Sequence, residues 1–279
     1  MKTNKNFSTT NGLSAYLLTN GLFILLCIFG ILDPAIIAKH WPTLLISANI
    51  LGFMLSLFAY VKAHLFPTHT SDLKFSGSRF YDLYMGIEFN PRLSSTWDIK
   101  LFTNSRPGIV AWTLIDLSFC AWQYEVHGSI SNSIVIATIL HVIYVIDFFW
   151  NEDWYLRTID IAHDHFGFYL AWGSLVWLPS MYTLQTQYLA RYPVDLSWGA
   201  AAGIFAVGVS GYGVFRSVNW QKDIVRKTGG ECVIWGKKAN VLVCEFVTTD
   251  GGRHESLLLC SGKSSATFLE CRPLPGDCG

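Results

Sequence analysis

Long apolar windows separated by polar connections dominate this chain, and each window is long enough to cross a bilayer. A helix needs about 20 consecutive apolar residues to span the hydrocarbon core. Such windows cover residues 13–32, 43–63, 108–126, 130–150, 166–189 and 197–215. The fifth contains Pro179, which lacks a backbone N–H and is expected to kink or break its helix. The sixth is rich in Gly and Ala, as closely packed membrane helices are. No spanning window follows Ser217. The expected fold class is therefore all-α, a polytopic transmembrane helix bundle of about six spans with a small tail containing short strands.

The polar connections set the orientation. With six spans, the N-terminus, residues 64–107, residues 151–165 and the tail share one face. Every Lys and Arg except Lys39 and Arg191 lies on that face, which is therefore assigned to the cytosol. The first window has no small-residue cleavage motif after it and reads as a signal anchor. The division expected along the chain is a short cytosolic N-terminus (1–12), a membrane core (13–217), a cytosolic segment (218–262) and a divergent, disordered tail (263–279). Within the third part, residues 219–227 extend the sixth helix as far as Thr228-Gly229-Gly230. Residues 232–235, 241–247 and 255–259 read as strands, with a turn at Asp250-Gly251-Gly252. The connection at 64–107 mixes aromatic and charged residues and is expected to pack under the bundle.

Composition agrees with a membrane protein. Hydrophobic residues make up 51% and charged residues 14%, against roughly 25% charged in soluble domains. The net charge is zero, so nothing points to nucleic acid. Seven dispersed cysteines without a Cys-x-x-Cys are expected to be free thiols.

Candidate chemistry concentrates in residues 144–165. Tyr144, Asp147, Glu152, His163, Asp164 and His165 stand there among aromatic and aliphatic neighbours. Ionisable groups at membrane depth are costly and mark sites or pathways. Tyr144 and Asp147 share a helix face, and such a pair supplies a proton in a low-dielectric pocket; the alternative is a structural polar cluster. His163 and His165 read as hydrogen-bonding or proton-relay groups rather than metal ligands, because the other histidines supply no converging set, and no metal is expected. Lys222 and Arg226 stand at i and i+4, with Asn219 a turn earlier. They read either as a phosphate clamp or as an anchor on anionic lipid. There is no Gly-x-Gly-x-x-Gly and no P-loop, so a nucleotide would bind outside those folds.

Several segments together resemble the integral-membrane sterol reductases over about residues 11–262. They include Gly86-Ile87-Glu88-Phe89-Asn90-Pro91-Arg92, Gly108-Ile109-Val110-Ala111-Trp112-Thr113-Leu114 and Tyr144-Val145-Ile146-Asp147-Phe148-Phe149-Trp150-Asn151-Glu152. Val176-Trp177-Leu178-Pro179, Tyr182-Thr183-Leu184-Gln185 and Ile234-Trp235-Gly236-Lys237 belong with them. Glu88-Phe89-Asn90-Pro91-Arg92 favours the C-7 branch over the C-14 and C-24(28) branches. The resemblance implies a multi-pass enzyme of the endoplasmic-reticulum membrane that uses NADPH to reduce the C7–C8 double bond of 7-dehydrocholesterol, giving cholesterol. It implies a sterol substrate, the bilayer and other sterol-biosynthesis membrane enzymes as partners. It also implies that Asn219, Lys222, Arg226 and Leu259 contact NADPH, which decides for the phosphate clamp. Residues 144–165 correspond to the sterol pocket and its proton donors.

Two departures from the family pattern stand out. Trp172-Gly173-Ser174 replaces the family's Trp-Gly-Asp, removing a carboxylate expected at the pocket edge. The family continues beyond Gly262 into an Arg-His-x-Asn-Tyr segment and further helices, whereas 263–279 resembles neither. The cofactor segment 218–262 is therefore expected to be incomplete. The competing expectations are a non-catalytic sterol-binding membrane isoform, a C-14 sterol reductase and a membrane methyltransferase of the isoprenylcysteine type.

Overall fold

The computed structural model describes residues 11–155, 158–247 and 253–260. The expected turn at 250–252 and the tail at 263–279 lie outside the described residues. The chain forms two compact units, which divide after Gly208.

The first unit is a helical bundle. Its long helices are α1 (Gly12–Ile28), α2 (Trp41–Leu65), α3 (Val110–His127), α4 (Asn132–Trp150) and α5 (Leu184–Arg191). The next helix, α6 (Trp198–Thr228), begins in this unit and ends in the second. By length and composition, α2, α4 and α6 qualify as membrane spans, and α1 is a shorter apolar helix. The third expected window became α3, which buries Thr113, Asp116, Ser118 and Gln123. Apolar side chains meanwhile face outward from α1 and α2, including Leu17, Leu18, Ile46, Ile50, Phe53 and Met54. Polar groups inside and apolar groups outside is the arrangement lipid favours.

The fifth window is broken, as Pro179 implies, but the break begins earlier. Helix Phe168–Trp172 passes into a π-helical turn, Gly173–Trp177, before the short helix Leu178–Met181. Widening the turn ahead of a proline relieves the clash between its ring and the preceding carbonyls. A second π-helical segment, Asn104–Ile109, accommodates Pro107 at the entrance to α3. The two π segments meet closely. A Cβ on Gly108 would lie 2.9 Å from the Ser174 carbonyl oxygen. Asn104 Nδ2 donates to Ser174 Oγ at 3.2 Å, so the departure at position 174 sits in a buried contact between them.

Residues 64–107 pack against the bundle, as expected. Glu88 anchors them. Its carboxylate accepts from Lys62 Nζ of α2 at 2.9 and 3.0 Å and from the Thr68 N–H at 2.7 Å. The Glu88 carbonyl accepts from the Phe166 N–H at 2.9 Å. Gly86 and Gly167 face each other here with no room for a side chain, since a Cβ on either would approach the other strand's backbone closer than 3.0 Å.

The second unit contains the rest of α6 and two antiparallel hairpins. β1 (Val233–Ile234) pairs with β2 (Lys237–Lys238), and β3 (Asn240–Val247) pairs with β4 (Arg253–Cys260). α6 ends at Thr228, and Gly229 and Gly230 take φ of 63° and 88°. The strand expected over 232–235 is shorter than its apolar run. Trp235 and Gly236 instead form a two-residue turn with φ of 49° and 77°, the positive-φ pair that matches strand twist.

Candidate functional site

The C-terminal half of α4 carries the first candidates. Tyr144 and Asp147 stand one turn apart. The Tyr144 ring stacks on Trp112 of α3 at 5.4 Å and 16°, and the Tyr182 ring stacks on the same indole at 5.0 Å and 14°. Asp147 Oδ1 accepts from Asn151 Nδ2 at 3.1 Å. This places a phenol and a carboxylate beside a three-ring aromatic stack, which suits proton donation to an apolar ligand and stabilisation of a positive centre.

Glu152 does not extend that helix face. α4 stops at Trp150, and Glu152 opens the short helix Glu152–Tyr155. Its carboxylate pairs with Arg106 at 3.2 Å and accepts from the Gly12 N–H at 2.8 Å. There it satisfies an unpaired donor at the start of α1, where negative charge is favoured.

His163, Asp164 and His165 lie in the turn after helix Ile159–Ala162. His163 is exposed, and Asp164 and His165 are half-buried. The His165 ring meets Phe89 edge-on at 5.6 Å. The segment is held by Lys100, a residue that sequence reasoning missed. Lys100 is only 1% exposed. Its Nζ donates to the carbonyls of Ile161 at 2.9 Å, Asp164 at 2.5 Å and Phe89 at 3.4 Å, and stands 4.4 Å from the centre of the Phe89 ring. Burial pushes its pKa down to about 8, against the pull of Asp98, Asp164 and Asp160. Burial also lowers His165, helped by the Lys100 charge, and raises Asp160, helped by Asp164.

The Lys100 shift has a direct consequence for stability. Between about pH 8 and pH 10.5 the unfolded chain keeps a proton that the folded chain has released. Stability therefore rises with pH across that window and falls as pH drops through about 8. The full range is about 3 kcal/mol at most, at about 1.4 kcal/mol per pH unit. Thermal unfolding between pH 7 and pH 9.5 should show this rise in the wild-type chain and lose it in Lys100→Met. Equal slopes for the two would refute the assignment.

In the second unit, Asn219, Lys222 and Arg226 follow one another along α6. Asn219 Nδ2 turns back to the Phe215 carbonyl at 2.9 Å. Lys222 and Arg226 are exposed and have no ion pair among the described residues, whereas neighbouring Lys227 pairs with Asp223 at 2.6 Å. Two uncompensated cations at i and i+4 are suited to an anion such as phosphate. Leu259 lies on β4 opposite Val241.

Comparison with known proteins decides the family. The family model described as "Ergosterol biosynthesis ERG4/ERG24 family" matches residues 2–265. This chain belongs to the ERG4/ERG24 sterol reductase family. It is 52% identical over 253 residues to the 7-dehydrocholesterol reductases of Danio rerio and Xenopus laevis, covering 90% of this chain and 53% and 54% of theirs. A Delta(14)-sterol reductase of Methylotuvimicrobium alcaliphilum is 38% identical over 258 residues, covering 90% of this chain and 56% of its own length. The chain thus spans about half the length of the curated relatives it matches.

In this ERG4/ERG24 member, one polar group inside the membrane core also escaped sequence reasoning. Asp116 of α3 is fully enclosed. Its Oδ2 lies 2.8 Å from His141 Nδ1 of α4, and its Oδ1 accepts from Thr186 Oγ1 of α5 at 2.6 Å. The available signal was a single Asp and a single His, each in its own apolar window.

Proposed function

We propose that this chain is a sterol reductase component that reduces the C7–C8 double bond of 7-dehydrocholesterol with NADPH in the endoplasmic-reticulum membrane. The observation that carries the reading is the 52% identity to two 7-dehydrocholesterol reductases across 90% of the chain. A proton must reach one alkene carbon and a hydride the other. Bound NADPH would supply the hydride. Lys222 and Arg226, the two uncompensated cations on α6, would hold its phosphates, with Asn219 and Leu259 as further contacts. Tyr144 and Asp147 would deliver the proton, and the Tyr144–Trp112–Tyr182 stack would stabilise the developing positive charge through its ring faces. Glu152 would act from a distance, by fixing the start of α1 and the end of α4. Lys100 would hold the 163–165 segment in place.

Expression in cells lacking endogenous reductase, with sterols followed by mass spectrometry, tests this. Conversion of 7-dehydrocholesterol to cholesterol above background is expected. Its absence, with sterol binding retained, would replace the catalytic reading with a sterol-binding role. Reduction of a C-14 double bond instead would reassign the substrate. In the active chain, Lys222→Glu is expected to raise the apparent NADPH requirement about 10- to 100-fold, the scale of one charge-assisted contact. An unchanged requirement would refute the phosphate assignment.

A further inference from the structure

Trp112 is 4% exposed, and its indole Nε1–H has no hydrogen-bond partner among the described residues. A buried donor left unpaired costs free energy, and more so in a membrane core that offers no water. Stacking against Tyr144 and Tyr182 fixes the ring, so the donor cannot turn away without breaking both contacts.

Beside it is a group of opposite polarity. His141 lies 6.4 Å from Trp112, ring centre to ring centre. Its Nδ1 is committed to the Asp116 carboxylate, whose other oxygen is taken by Thr186. A carboxylate partner fixes Nδ1 as the protonated nitrogen and leaves Nε2 as an acceptor. Close together are therefore a buried N–H that lacks an acceptor and an imidazole whose second nitrogen is able to accept. One hydroxyl satisfies both, accepting from Trp112 and donating to His141. A ketone satisfies only the first, and a hydrocarbon neither.

Position adds a second constraint. His141 lies one turn from Tyr144 and two from Asp147 on α4, at about 1.5 Å of rise per residue. With the reacting double bond in ring B at Tyr144 and Asp147, a sterol lying along α4 with ring A toward His141 would bring its hydroxyl to that residue.

We propose that Trp112 and His141, with His141 oriented by Asp116, form the subsite for the lone hydroxyl of the sterol. This rests on the sterol-reductase reading and adds the orientation in which the sterol binds. It makes recognition selective because a ligand without the hydroxyl leaves the buried Trp112 N–H unpaired and forgoes the bond to His141.

The test is equilibrium binding to the full chain in phosphatidylcholine nanodiscs. Tritiated 7-dehydrocholesterol is displaced by itself, by its 3-keto analogue and by its 3-deoxy analogue. The wild-type chain is expected to prefer the alcohol over the 3-deoxy compound about tenfold, with the ketone between them. Trp112→Phe, which keeps the ring stack and removes the N–H, should lower that preference to about threefold, as should His141→Phe, because each variant keeps one of the two contacts. Equal wild-type affinity for the three sterols would overturn the subsite while leaving sterol binding intact, and that comparison needs no variant. A tenfold preference that survives in both folded variants would also overturn it. If the wild-type chain binds none of the sterols, the sterol-reductase reading falls with it.

Discussion

Replacing Gly86 with alanine is expected to destabilise the chain by about 3–5 kcal/mol and to release the 163–167 segment from its docking site. Gly86 has φ 93° and ψ 153°, a region that residues with a side chain essentially do not enter. An added Cβ would also run into the Phe166 carbonyl carbon and the Gly167 nitrogen, backbone atoms that cannot swing aside. Strain and collision act at one point, and that point joins the 64–107 connection to the His163-Asp164-His165 turn. Thermal unfolding in detergent measures the cost, and protease cleavage after residue 157 measures the release. Stability within about 0.5 kcal/mol of wild type, the range of an ordinary surface change, would show that the crossing adjusts.

The same crossing shows what the sequence made legible and what it did not. Helices were legible wherever one stretch of chain decided them. Five of the apolar windows became α1, α2, α3, α4 and α6, Pro179 marked a break in the other, and Gly229-Gly230 marked the end of α6. Short apolar runs on either side of Asp250-Gly251-Gly252 marked β3 and β4. Tyr144 with Asp147, and Lys222 with Arg226, could be paired because helical periodicity alone puts each pair on one face. Contacts between distant segments left no local signal. Lys100 reads as one more cytosolic cation until folding carries it under the carbonyls of Ile161 and Asp164. Asp116 and His141 are 25 residues apart in separate windows, and only the packing of α3 against α4 joins them. Glu152 followed the spacing of a continuing helix, but α4 ends two residues earlier, and its carboxylate turned to Arg106 and Gly12 instead. Trp235 followed an apolar run into a strand, but the glycine beside it made the pair a turn.

Glu88 is the other position where a single change should be severe. Both partners of the Lys62–Glu88 pair are almost wholly buried, with side-chain exposures of 3% and 2%. Glu88→Gln keeps shape and volume but leaves the Lys62 ammonium enclosed without a counter-charge. Breaking a buried pair from one side costs about 3–5 kcal/mol, because the remaining charge has lost its water and its partner. Removing both charges should cost much less, so Lys62→Met with Glu88→Gln is expected to recover most of the stability lost in Glu88→Gln alone. The recovery should not be complete. Glu88 also accepts from the Thr68 N–H at 2.7 Å, and Lys62 also donates to Thr68 Oγ1 at 2.9 Å. Thermal unfolding of the two single variants and the double variant gives the coupling between them. If the double variant is no more stable than Glu88→Gln, charge pairing is not what holds residues 64–107 against α2. The anchoring would then rest on the backbone bond from Phe166 to Glu88 and on the Gly86–Gly167 crossing beside it.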